Sequence, residues 1–257
     1  MTKDFTDAGD PGRSIALLWG RREPGRRGPK ARLSPEKVIQ AAIALADTEG
    51  LSALSMRRVA EAVGVSPMSL YTYVPSKAEL VDMMFDRVLG DTADPGAEVV
   101  TWREKMAFMA RERWALSERH PWLLDLAVNR PPLGPNFMRK AQVMVRALDG
   151  MNLEPLDVAQ AADALQDYIT GALRTAREAR EAVAHGGLTD EEWFARVGLV
   201  LEQHMAPQDF EAVSRMTEAR RRRAHLPTLR SARFEFGLQR MLDGLEAFIQ
   251  ARGKAAG

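Results

Sequence analysis

Residues 63–80, VGVSPMSLYTYVPSKAEL, gather two tyrosines, four further hydroxyl side chains and an apolar ladder. A buried helix disfavours so many hydroxyls, since each one removed from water needs a partner. A solvated helix has no use for Leu70 and Val74. The pattern suits a short helix locked down by Leu70 and Val74 and open on its other face. Pro67, Met68, Ser69 and Thr72, with Ser66 just before them, then face outward towards base edges. Hydroxyls on the long rigid arms of Tyr71 and Tyr73 suit phosphate oxygens. Lys77, next to Ser76, adds a cation where a helix N-terminus already favours phosphate. The chemistry is DNA recognition.

No competing constellation matches this one. The chain contains no nucleotide-binding glycine loop, no GxSxG and no HExxH. Asp190, Glu191 and Glu192 have the character of an acidic first helical turn. His120, His185, His204 and His225 lie far apart and mostly at expected helix ends, so helix termination is the expected role, and no metal or other cofactor is expected. There are no cysteines, which excludes disulfides and thiolate metal sites.

The elements that must hold the hydroxyl-rich segment are sharply punctuated. Ser34-Pro35-Glu36-Lys37 supplies an N-cap, a proline at the first helical position and an acid in the first turn. Val38, Ala41, Ala42, Leu45 and Ala46 then recur at helical spacing up to Gly50. A second short helix opens at Ser55 and carries Met56, Val59, Ala60 and Val63 before Gly64. A third opens at Ser66-Pro67 and ends near Tyr73. A fourth opens at Ser76, with Leu80, Met83, Met84, Val88 and Leu89 on one side. Two short helices separated by Gly-Val form a helix-turn-helix, whose second helix enters the DNA major groove.

Residues 34–80 strongly resemble the DNA-binding domain of the tetracycline-repressor (TetR) family. The shared pattern runs from an acid-Gly-Leu turn through LSMRRVAEAVGVS and LYTYV to SKAEL. The resemblance implies an all-α homodimeric repressor that releases its double-stranded DNA operator when a small molecule enters the C-terminal domain. It also implies that Arg57 and the Ser66–Ser69 turn contact bases and that Tyr71, Tyr73 and Lys77 contact phosphates. Pro67 and Met68 offer only apolar contact, so hydrogen-bonded readout falls on Arg57 and Ser69. Dimeric binding implies an inverted repeat with half-sites about 34–36 Å apart, or a multiple.

Upstream, residues 1–33 are rich in Gly, Pro, Arg and Asp and are expected to be mostly unstructured. Within them SIALLWG, residues 14–20, is a brief apolar patch that either docks, folds on binding or stays an isolated tail segment. Arg26, Arg27, Lys30 and Arg32 belong to a basic run read as a groove-seeking flexible arm. Acids slightly outnumber bases between Ser34 and Leu80, so this arm supplies much of the phosphate attraction.

Beyond the Gly90–Gly96 break, helical periodicity predicts segments at 99–118, 121–128, 137–148, 155–183, 189–205 and 231–252, with a short one after Pro207. The expected domains are an arm at 1–33, a three-helix reading domain at 34–80 and a larger helical ligand-binding and dimerisation domain at 81–257. This last region also resembles the tetracycline-repressor C-terminal domain, most visibly at HPWLLDLAVNRPPLGPN. Some of Phe108, Trp122, Met138, Met144, Tyr168 and Trp193 are expected to line an effector pocket, with core packing the alternative for each. Gly237, Met241, Gly244 and Phe248 share a face of the last helix and are expected to meet a partner subunit. The Arg-rich run at 219–225 reads as a solvated linker.

At 257 residues, 46% hydrophobic and with a net charge of +1, the composition is ordinary for a globular protein. No apolar run approaches the roughly 18 residues needed to span a bilayer. A cytoplasmic protein with no membrane partner is expected. Two alternatives remain open at this stage: a DNA-binding module governed by a protein partner, and an all-α enzyme domain tethered to DNA.

Overall fold

In the computed structural model, which describes residues 4–5, 10–20, 33–127, 130–204, 210–221 and 229–255, the chain is all-α. Among the described residues the one extended pairing joins Asp4–Phe5 in parallel to Leu126–Ala127. The helices are α1 (Pro11–Leu18), α2 (Pro35–Glu49), α3 (Met56–Ala62), α4 (Pro67–Tyr71), α5 (Lys77–Leu89) and α6 (Trp102–Arg119). They continue with α7 (Pro135–Ala147), α8 (Pro155–Gly186), α9 (Asp190–His204), α10 (Glu211–Arg221) and α11 (Leu229–Ala255). Residues 1–163 with 249–257 make one compact unit and residues 164–248 another.

In the first unit, serine hydroxyls start four helices as their spacing predicts. Ser34 accepts the Lys37 amide, Ser55 the Arg58 amide, Ser66 the Ser69 amide and Ser76 the Ala78 amide. Gly50, at φ +83°, ends α2 in a conformation that costs glycine little. Val38, Ala42, Val59, Ala60, Leu70, Val74, Leu80, Met84 and Val88 are fully buried together. The same core continues through Leu116, Trp122, Leu123 and Leu126.

Helix α5 is buried on more than its apolar side, because Glu79, Asp82 and Asp86 are buried as well. Each acid has a partner: Glu79 accepts from Ser76, Asp82 Oδ2 from Ser14 Oγ at 2.8 Å, and Asp86 from the start of α7.

Within residues 1–33, the apolar patch at 14–20 takes the docking alternative, as part of α1 and the turn after it. Asp10 caps that helix through the Gly12 amide, and Ser14 fixes it to α5. Trp19 Nε1 then donates to the Leu133 carbonyl at 2.8 Å. An eight-residue helix is too short to persist by itself; these contacts with distant residues hold it.

Helix α7 also grips the linker that follows α5. Lys140 Nζ donates to Thr92 O at 2.6 Å, Ala93 O at 2.9 Å and Asp94 Oδ1 at 2.6 Å, and Arg139 also pairs with Asp94. Burial pushes the Asp94 carboxyl up, yet the two cations outweigh that and hold it below its ordinary value.

The second unit is built on α8 and α11. Leu165, Ile169, Leu173 and Ala176 are buried on the first helix, and Phe234, Leu238 and Leu242 on the second. The Tyr168 and Phe234 rings stack at 6.0 Å, and Tyr168 Oη donates to Phe234 O at 2.6 Å. Among the described residues, no helix is long and apolar enough to cross a membrane.

Candidate nucleic-acid interface

The turn between α3 and α4 is closed by backbone geometry. Gly64, at φ +71°, donates to Glu61 O at 3.2 Å, and Val65 donates to Ala60 O at 3.0 Å. This pair of bonds satisfies the last carbonyls of α3 and reverses the chain. Leu70 and Val74 have no exposed surface, so α4 is pinned from within.

That pinning leaves one polar and apolar face outside. Ser66, Pro67, Ser69 and Thr72 are exposed, and Met68 is 78% exposed, unusual for a large apolar side chain. Ser66 Oγ and Ser69 Oγ lie 2.9 Å apart, which spends one hydrogen bond of each hydroxyl and leaves further capacity outward. Tyr71 is 44% exposed beside them, whereas Tyr73 is half-buried. Lys77 Nζ, at the start of α5, lies 3.5 Å from Leu51 O.

The adjacent arginines of α3 divide their roles. Arg57 points to solvent with its side chain 82% exposed and, among the described residues, pairs with its helical neighbour Glu61 at 2.9 Å. Such an exposed pair contributes little and opens readily. Arg58 instead forks onto both oxygens of Glu49, at 2.5 and 2.9 Å, and reaches the Ala53 carbonyl. The fork holds the Glu49 carboxyl below its ordinary range and raises the Arg58 guanidinium, tying α3 to the end of α2. The arm residues Arg26, Arg27, Lys30 and Arg32 lie outside the described residues.

The residues expected around an effector are divided between the two units. Phe108 and Met144 are half-buried and Met138 is 43% exposed, all on α6 and α7. Trp122 takes the core alternative: it is buried in the cluster with α2, and its Nε1 donates to Asp47 Oδ1 at 2.8 Å. His120 Nδ1 lies 2.8 Å from the same oxygen. Tyr168 and Trp193 belong to the second unit, the former bonded to Phe234 O and the latter 49% exposed.

On α11, Gly237 makes a close approach within the chain, because the Tyr168 phenol occupies the space its missing Cβ leaves. Gly244 is exposed and open, Met241 is half-buried and Phe248 is 37% exposed.

Sequence reasoning missed Asp86. Its Oδ1 accepts the Phe137 amide at 2.9 Å, and its Oδ2 accepts Asn136 Nδ2 at 3.1 Å and the Asn136 amide at 3.3 Å. Gly134 has no side chain because the Asp86 carboxylate fills that place. An acid among the apolar residues of α5 and the Gly134-Pro135 pair were the available signals.

Residues 38–84 match the family described as bacterial regulatory proteins, tetR family, and residues 94–249 match the tetracyclin repressor-like C-terminal domain. The chain is 40% identical to the HTH-type transcriptional repressor DrrR1 of Streptomyces coeruleorubidus over 98% of its own length and 92% of the relative's. It is 34% identical to an HTH-type transcriptional regulator of Saccharopolyspora erythraea, over 67% of this chain and 71% of that one. Among solved structures it resembles Streptomyces coelicolor ActR in complex with actinorhodin, at 27% identity and a TM-score of 0.67. That match covers 84% of this chain and 97% of that one.

Proposed function

The chain belongs to the TetR family of transcriptional regulators, and from that premise we propose that it represses transcription by binding an inverted-repeat operator as a homodimer and releasing it on binding a small apolar or aromatic effector. The observation that carries this reading is α4. A five-residue helix with Leu70 fully buried at its centre presents Pro67, Met68 and Ser69 to solvent, where no described residue covers them.

On this proposal Arg57, Ser66, Pro67, Met68, Ser69 and Thr72 face the bases, and Tyr71, Tyr73 and Lys77 hold phosphates. Arg26, Arg27, Lys30 and Arg32 add attraction along the backbone. The half-buried Met241 and the exposed Gly244 and Phe248, along one side of α11, support a helix-to-helix dimer contact. An effector acts by its differential affinity for the DNA-competent conformation and the released one. The complex of ActR with actinorhodin supports a small-molecule effector for a chain of this fold.

Selection of bound sequences from a random double-stranded pool by the purified full-length protein tests this. Enrichment of an inverted repeat is expected; failure of folded protein to enrich any sequence at low salt overturns it.

A further inference from the structure

Met106, Ala110, Arg113 and Ser117 follow one another at helical spacing along a face of α6. Met106 and Ala110 have no exposed surface, and Ser117 is 1% exposed. The polar members of the face are unsatisfied: Arg113 Nη1 and Ser117 Oγ are both buried and meet no hydrogen-bond partner among the described residues. The Arg113 guanidinium lies 6.0 Å from the centre of the Phe85 ring on α5. The Phe85 ring is itself 6.5 Å from that of Phe137, in the first turn of α7.

A phenyl face attracts a cation but accepts none of the five hydrogen bonds a guanidinium offers. Burial pushes the Arg113 pKa down to about 10, which leaves it charged at neutral pH. A buried guanidinium nitrogen with no acceptor among the described residues leaves its desolvation uncompensated, which is costly for a charged group. An anion brought in from outside resolves it, and a carboxylate matches the planar fork of arginine with two parallel bonds.

We infer that Arg113 and Ser117 anchor the charged end of the effector, which is therefore an organic acid with a planar apolar body directed towards Phe85 and Phe137. This deepens the effector-responsive reading above and rests on it. Specificity follows from the same chemistry. A neutral analogue of the same shape leaves the guanidinium uncompensated, so acid and amide are discriminated strongly. Phe85 immediately precedes Asp86, so an acid bound at Arg113 acts beside the contact that joins α5 to α7.

Thermal melting of the full-length protein tests the inference, with benzoate, 2-naphthoate and 4-biphenylcarboxylate as probes against their primary amides. For the wild type, the acids are expected to raise the melting temperature more than the amides do. Arg113→Met removes the charge at similar volume; it is expected to melt at or above the wild type without ligand and to lose all preference for acids. Arg113→Lys is expected to keep a weaker preference. Arg113→Met should still bind the operator selected by the wild type, which separates this test from that of DNA binding. Equal shifts by acids and amides in the wild type overturn the inference. So does an Arg113→Met protein that melts lower and retains the acid preference, for the guanidinium is then packing against Phe85 only.

Discussion

Asp86 and Phe137 are joined across the gap between α5 and α7 by a 2.9 Å bond from the Phe137 amide to Asp86 Oδ1. The carboxylate thus sits on amides of a helix N-terminus that have no partner within the helix, where both the hydrogen bonds and the helix dipole favour an anion. Asp86→Ala leaves those part-buried amides without an acceptor and is expected to cost about 1–3 kcal/mol. Asp86→Asn keeps an acceptor but loses the charge, at roughly 1 kcal/mol or less. Urea unfolding of the three proteins reads the difference; identical losses would remove charge from the account.

Gly237 and Tyr168 make a second close approach. Gly237→Ala drives a methyl into the phenol and displaces the bond to Phe234 O. The expected cost is about 1–3 kcal/mol, typical of overpacking. Removing the hydroxyl makes part of that room, so Gly237→Ala should cost less in a Tyr168→Phe background. A double-mutant cycle with no coupling would contradict the contact.

At the reading face, Arg57→Ala is expected to weaken operator binding by roughly 1–3 kcal/mol and to relax preference at one base pair. The Arg57 pair with Glu61 lies at the surface, so folding stability should barely change. Binding measured on every single-base variant of the operator decides this; a uniform loss across sequences would make Arg57 a phosphate contact instead.

Replacing Arg26, Arg27, Lys30 and Arg32 together by alanine is expected to lower affinity on all sequences and to flatten the dependence of log K on log salt, by about 0.9 for each phosphate that is no longer neutralised. Titrations at three or more salt concentrations suffice, and an unchanged slope excludes the arm from the complex.

The depressed pKa of Asp94 fixes the sign of a pH effect. Its ion pairs with Lys140 and Arg139 stabilise the fold fully above the unfolded carboxylate value of about 3.9 and are lost as pH falls through the lower folded value. The gap in melting temperature between wild type and Asp94→Asn should therefore be constant near neutrality and close in acid. A gap independent of pH down to about 3, below that unfolded value, would refute the assignment.

The helix-turn-helix was legible because its determinants are local: capping serines, Gly64 and the inward pair Leu70 and Val74 all act within a few residues. Met68 could be placed outward for the same reason, whereas Arg57 was placed by the family resemblance. Helix α1 was legible only as an apolar patch with docking among its alternatives, since the partners that hold it are Asp82 and Leu133, far along the chain. Trp122 announced only that it was large and apolar; that its nitrogen would find Asp47 depends on packing between distant segments. Gly237 shows the same limit from the other side. A glycine on a helix face signals close approach, but the pattern is identical whether the approaching group is a partner subunit or the chain's own Tyr168.

Because one continuous apolar cluster runs from Val38 to Leu126, the DNA-reading part is not portable. A hybrid regulator made by grafting residues 34–90 onto a foreign body would leave behind Leu116, Trp122, Leu123 and Leu126 and strip Asp47 of both its donors. Exchange of operator specificity between relatives therefore has to be made by rewriting the few exposed positions on α3 and α4, or by transplanting the chain through residue 127 as a single block.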